Sequence, residues 1–274
     1  MGLWPDVGPR GEALRQRCTR PAQAVGWPKA LPSATGVVST ATVSAPGMSP
    51  ISGIFISRIL GVRKPARRSM ASALQKRGRM LRLGHSFYSQ PTLQIARDLL
   101  GKRLVRILSG QRLSGFIVET EAYIGEDDKA CHASRGRTPR TEVMYGPPGH
   151  AYVYFIYGMY HCFNVVTEEE GFPAAVLIRA MEPSEGLEWM RRHRPGCPDD
   201  QLSNGPGKLC AALAIDRTLN GVDLCTSQVF FIEEGWAVAD EEIATSPRIG
   251  IRSDEVARSK PWRFYLKGNR WVSR

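Results

Sequence analysis

Two acids and a phenol alternate within Gly115–Gly125, which reads G-F-I-V-E-T-E-A-Y-I-G. Side chains two apart on a strand share a face, so Glu119, Glu121 and Tyr123 would project together. Acids at strand ends are ordinarily solvated. Gathered into a pocket, their repulsion and partial desolvation would instead raise one pKa toward the working range of a general base. Further along, Tyr152, Tyr154, Tyr157 and Tyr160 fall within nine residues of a chain that holds 8 Tyr. Aromatic strands usually pack cores. Here alternation sets Tyr152 and Tyr154 on one face and Tyr157 on the other, beside Gly158, where a side chain can project and wedge between base steps. Aromatic faces beside a carboxylate suit a flat, π-rich substrate such as a nucleobase.

Three further residues extend this set. His132 lies in a polar loop after the acidic segment and could fold over a pocket as a stacking lid. Asn164 offers a donor and an acceptor to a base edge. Arg179 sits in the apolar run Val176-Leu177-Ile178 and needs a buried partner, for which Glu121 is the candidate. The three arginines of Arg135–Arg140 are either a solvated run or phosphate contacts. Ser203–Leu209 has a weak likeness to the phosphate-binding turn of a helix-hairpin-helix.

The six cysteines, at 18, 131, 162, 197, 210 and 225, form no C-x-x-C. The scatter points to a reducing compartment rather than a disulfide scaffold. Cys131-His132 and His161-Cys162 are adjacent pairs, which a strand points to opposite faces, so neither marks a metal site. The expectation is no metal and no cofactor.

The elements that must hold these residues follow from pattern and punctuation. A helix is expected from Pro91 to Leu100, ended by Gly101, and a hairpin of strands 102–108 and 112–123 around Ser109-Gly110. Strands are read at 151–157, 160–166, 174–181, 229–233 and 263–267. Helices are read at 183–192 and 206–215, the second capped by Ser203 or Asn204. Together they give an α+β fold: one mixed domain at 81–274 with a largely antiparallel sheet flanked by helices.

Residues 1–80 read differently. They carry thirteen Lys/Arg against two Asp/Glu, whereas residues 81–274 carry 24 of each. The net charge of +11 therefore belongs to the N-terminal extension, which lacks sustained periodicity and reads as disordered. It is a targeting peptide, a basic arm that tethers DNA, or an over-extended start preceding Met70 or Met80. Ile51–Val62 contains Arg58 and is too short to span a bilayer.

From about Gly84 to Ser273 the chain resembles the alkyladenine (3-methyladenine) DNA glycosylase family of the mammalian type. The likeness runs through F-Y-S-Q-P, I-V-E-T-E-A-Y, Y-V-Y-F-I-Y-G-M-Y, L-I-R-A-M-E-P, G-P-G-K-L-C-A-A-L-A-I and R-F-Y-L-K-G. The resemblance implies a curved sheet and a monofunctional glycosylase that flips alkylated or deaminated purines from double-stranded DNA and hydrolyses the N-glycosidic bond. It implies Glu121 as the base that activates water, held with Arg179 and a main-chain carbonyl near Ile249 or Ile251. Tyr123, His132 and Tyr154 would stack the base, Asn164 would discriminate against the guanine amino group, and Tyr157 would fill the gap in the duplex. The expected partner is DNA containing damaged purines, with no membrane. The chain would act as an intracellular, non-secreted monomer wherever DNA is held. Two other readings stand beside it: a module that binds distorted duplex without cutting, and a hydrolase or transferase for another nucleoside-like substrate.

Overall fold

The computed structural model describes residues 81–273, and the expectations for residues 1–80 lie outside them. Helices α1 (His85–Tyr88) and α2 (Thr92–Asp98) lead into strands β1 (Arg103–Leu108) and β2 (Gln111–Ile124). Then come β3 (Ala151–Ile156), β4 (Tyr160–Val166), β5 (Ala174–Glu185), α3 (Leu187–His193) and α4 (Pro206–Ala212). β6 (Phe230–Glu233), β7 (Ile243–Ser246), α5 (Glu255–Ser259) and β8 (Arg263–Leu266) complete the series. The strands form one 8-stranded antiparallel sheet in the order β3-β4-β5-β2-β1-β6, with β8 on β2 and β7 on β8. Among the described residues no helix is long and apolar enough to cross a membrane.

β2 organises the sheet. Its first half pairs with β1 as far as Phe116, and β8 takes over that edge at Glu119–Glu121, while β5 runs along the other side. Glu119 and Glu121 are therefore central and fully buried rather than at a solvated strand end. Val118, Ala122 and the Thr120 hydroxyl, which donates to Ala96 O, face α2 and the main core. The opposite face carries a smaller cluster built around Cys131, Met144, Tyr145, Tyr152 and Ala175, with Tyr123 and Tyr154 packed against it.

Several expectations are corrected. β5 continues to Glu185, so the helix expected at 183–192 begins only at Leu187: Pro183 and Glu185 pair with Gly115 and Ser114, and Glu185 accepts from Arg112 Nε and Ser114 Oγ. The helix expected at 206–215 ends at Ala212, and neither Ser203 nor Asn204 caps it. Ser203 Oγ instead donates to Met181 O, and Asn204 Oδ1 accepts from Lys208 Nζ. The loop after β2 is no open coil: 3-10 turns at His132–Arg135 and Glu142–Tyr145 fold it onto the smaller cluster. β7 was not anticipated from the sequence.

Candidate active site

The acids of β2 meet two different environments. Glu119 Oε1 accepts from Arg179 Nε at 3.0 Å, Arg263 Nε at 2.6 Å and Ser273 Oγ at 2.8 Å, while Oε2 accepts from Ser273 N at 2.7 Å. A carboxylate has about four acceptor sites, two on each oxygen; three donors crowd onto Glu119 Oε1 and one reaches Oε2. Glu121 takes three bonds: Oε2 accepts from Arg179 Nη1 at 3.1 Å and Tyr123 OH at 2.9 Å, and Oε1 accepts from Ile249 N at 2.7 Å. One acceptor site is left on Glu121.

Those three donors also line a cavity of about 650 Å³, so Glu121 stands directly behind the wall they form. Arg179 is 7% exposed and bridges both acids. Burial pulls its pKa down, but Glu121 and Glu119 outweigh burial and leave it raised, so the guanidinium is charged. Burial first, and then the Glu121 charge, pushes the Tyr123 pKa well up. Tyr123 is therefore a fixed donor to Glu121.

Aromatic rings form another wall. His132 and Tyr154 stand edge to face with centroids 4.5 Å apart, and Tyr152 and Tyr154 are 5.4 Å apart. His132 Nδ1 lies 2.8 Å from Tyr152 OH. Burial, followed by the charges of Arg140 and Arg135, lowers the His132 pKa to about 4, so this ring is neutral at neutral pH. The Arg140 guanidinium lies 5.3 Å from the Tyr154 ring centre, and Arg137 is paired with Glu142. Asn164 lines the cavity and gives one amide hydrogen to Tyr152 O at 3.1 Å, which fixes which end of its amide is which. Its carbonyl oxygen and second N–H remain as a donor–acceptor pair for a ligand edge.

β3 ends at Ile156, so strand alternation does not govern Tyr157; the turn does. Tyr157 has φ 54° and is followed by Gly158 at φ 67°. A left-handed backbone costs a non-glycine residue about 1–2 kcal/mol, and it leaves Tyr157 69% exposed at the cavity rim, with Met159 53% exposed beside it.

Several supporting residues gave no signal in the sequence. Arg248 and Asp128 are a fully buried pair at 2.5 Å. Arg248 also donates to Ala122 O and Ala257 O and stacks on Tyr123 at 4.8 Å and Trp262 at 5.0 Å. It immediately precedes Ile249 and so holds the N–H that bonds Glu121. Arg263 and Ser273, the other partners of Glu119, lie more than 140 positions away along the chain.

Two adjacent strands thus set an acid, Glu121 of β2, and an arginine, Arg179 of β5, behind an aromatic cavity. Residues 86–270 match the family described as methylpurine-DNA glycosylase (MPG). The chain is 55% identical over 193 residues to "Putative 3-methyladenine DNA glycosylase" of Methanocella arvoryzae, covering 70% of this chain and 96% of that protein. Proteins of the same name from Desulfitobacterium hafniense and Myxococcus xanthus are 53% and 49% identical. Those alignments cover 71% and 70% of this chain, and 99% and 93% of the relatives. The chain belongs to the methylpurine-DNA glycosylase family. It is a DNA-repair enzyme, a glycosylase that acts on alkylated bases in DNA.

Proposed function

We propose that this enzyme extrudes alkylated or deaminated purines from duplex DNA and hydrolyses the N-glycosidic bond with a water activated by Glu121. The observation that carries this reading is the setting of Glu121: all three of its donors, Arg179, Tyr123 and Ile249, line the aromatic cavity, and its Oε1 takes a single bond, which leaves one acceptor site there. That free site accepts a proton from the attacking water. The water oxygen bonds to C1′ of the deoxyribose, the C1′–N bond breaks, and its electron pair leaves with the purine. An N3- or N7-alkylated purine is cationic before cleavage and departs neutral, so no second acid is needed; a neutral deaminated purine departs as an anion and takes its proton from solvent. The carboxylate also stabilises the positive charge that develops at the sugar, while Arg179 and the Ile249 N–H hold Glu121 in one orientation.

Tyr123, His132 and Tyr154 stack the extruded base, and Asn164 reads its edge. A neutral His132 accepts a cationic base without repulsion. Extrusion costs a few kcal/mol, least for damaged or mispaired bases, and stacking returns about 1–3 kcal/mol per base. Tyr157 enters the vacated space in the duplex. The cavity is complete within one chain, which supports action as a monomer, in whatever compartment holds the DNA.

The test uses duplexes carrying hypoxanthine, 3-methyladenine or 1,N6-ethenoadenine, with alkali to reveal abasic sites. Cleavage by the wild-type chain is expected. Binding without cleavage of any of them would favour the damage-binding module instead.

A further inference from the structure

Away from the cavity, α1, the segment leading into β3 and the turn before β6 meet at a set of metal-binding side chains. One ligand atom from each of His85, Asp223 and Cys225 lies within 4.8 Å of the others, the one such grouping among the described residues. None of the three lines the cavity.

The arrangement around them is specific. His85 Nδ1 lies 3.0 Å from Pro148 O, and a carbonyl accepts only from a protonated nitrogen, which leaves the lone pair of the neutral ring on Nε2. That Nε2 is 3.5 Å from Asp223 Oδ2. His150 repeats the device, with Nδ1 3.0 Å from Pro147 O, its ring 6.3 Å from that of His85 and its backbone bridged to Asp223. Asp223 is anchored by the Cys225 N–H at 2.8 Å and the Thr226 hydroxyl at 2.7 Å. Between the histidines lies Gly149, where a Cβ would come within 2.9 Å of Cys225 Sγ and 3.5 Å of His85 Nδ1. Only glycine lets the thiol and imidazole close on this backbone. Tyr88, fully buried against the same glycine, has a hydroxyl with no partner.

We propose that His85, Asp223 and Cys225 bind a zinc-like divalent cation. Mixed nitrogen, sulfur and carboxylate donors suit zinc and its neighbours, whereas calcium and magnesium take oxygen ligands. Binding breaks the S–H bond, forms a metal–sulfur bond and releases one proton to solvent. The bound ion clasps α1 to the entry of β3, the strand that carries Tyr152 and Tyr154.

The test takes the full chain, stripped with a chelator, and titrates it with Zn²⁺ by calorimetry and with Co²⁺ by absorption. The expected result is one equivalent bound, a thiolate-to-cobalt charge-transfer band, one proton released and a higher unfolding temperature. Cys225→Ala should abolish the band, and both it and the surface variant His85→Gln should weaken zinc binding by at least about 10–100-fold. Circular dichroism verifies that each variant is folded. No stoichiometric zinc binding by the wild type, or binding unchanged in both variants, overturns the site and leaves His85 and Asp223 as a surface ion pair.

Discussion

Glu119 and Glu121 stand two residues apart on one face of one strand, yet they anchor two regions with opposite chemistry. Around Glu119, Arg179, Arg263 and Ser273 close a knot of four bonds, three of them on Oε1. Around Glu121, Arg179, Tyr123 and Ile249 hold the carboxylate but leave it one acceptor site at the cavity wall. Burial alone does not separate the two, since both are fully buried. What separates them is the company each keeps: Arg263 and Ser273 join Arg179 at Glu119, whereas Tyr123 and Ile249 join it at Glu121. Arg179 is shared, so the knot also aims Glu121.

The difference can be broken from either side. On the Glu121 side, Glu121→Gln should slow excision about 10²- to 10⁴-fold while changing unfolding little, as read by single-turnover cleavage and denaturant titration. On the Glu119 side, Glu119→Ala leaves Arg263 without its carboxylate and Arg179 with Glu121 alone, and should cost about 3–5 kcal/mol of stability, measured in urea. A stable Glu119→Ala protein would mean the knot is dispensable.

Smaller effects sharpen the picture at the aromatic wall. Tyr154→Ala should lose about 1–3 kcal/mol of lesion binding, seen as weaker affinity for a lesion duplex. Tyr157→Ala should leave the fold intact, since that side chain is exposed, and reduce extrusion, read from the fluorescence of a reporter base.

The smallest effect concerns acid. His132 titrates at about 4 in the fold, below the ordinary histidine value near 6.5, so the unfolded chain binds the extra proton first. The stability contributed by the neutral ring is complete above about pH 6.5 and is lost as pH falls toward 4. His132→Gln should flatten the stability profile across that window. An identical profile would place the acid sensitivity elsewhere.

The sequence made some of this legible. Period-two spacing put Glu119, Glu121 and Tyr123 on one face, and an arginine in an apolar run demanded a buried acid. It could not choose between the acids, because the donors that distinguish Glu119 come from β8 and Ser273, far along the chain. It also missed the Arg248–Asp128 pair, because S-P-R-I-G carries no periodicity and a buried ion pair shows only once two loops meet. The helix expected at 183–192 failed for a similar reason: pairing with β2 extends β5 through Pro183 to Glu185 against local helix signals. Likewise, Tyr157 is exposed because β3 stops one residue before it, not because of alternation.

The most direct measurement is single-turnover excision by Glu121→Gln and Glu119→Gln, side by side, at saturating enzyme on one lesion duplex, with the unfolding free energy of each. The expected result is a folded Glu121→Gln that binds the lesion and does not excise it, and a Glu119→Gln that loses more stability than rate. Wild-type excision by Glu121→Gln would contradict the assignment of the base.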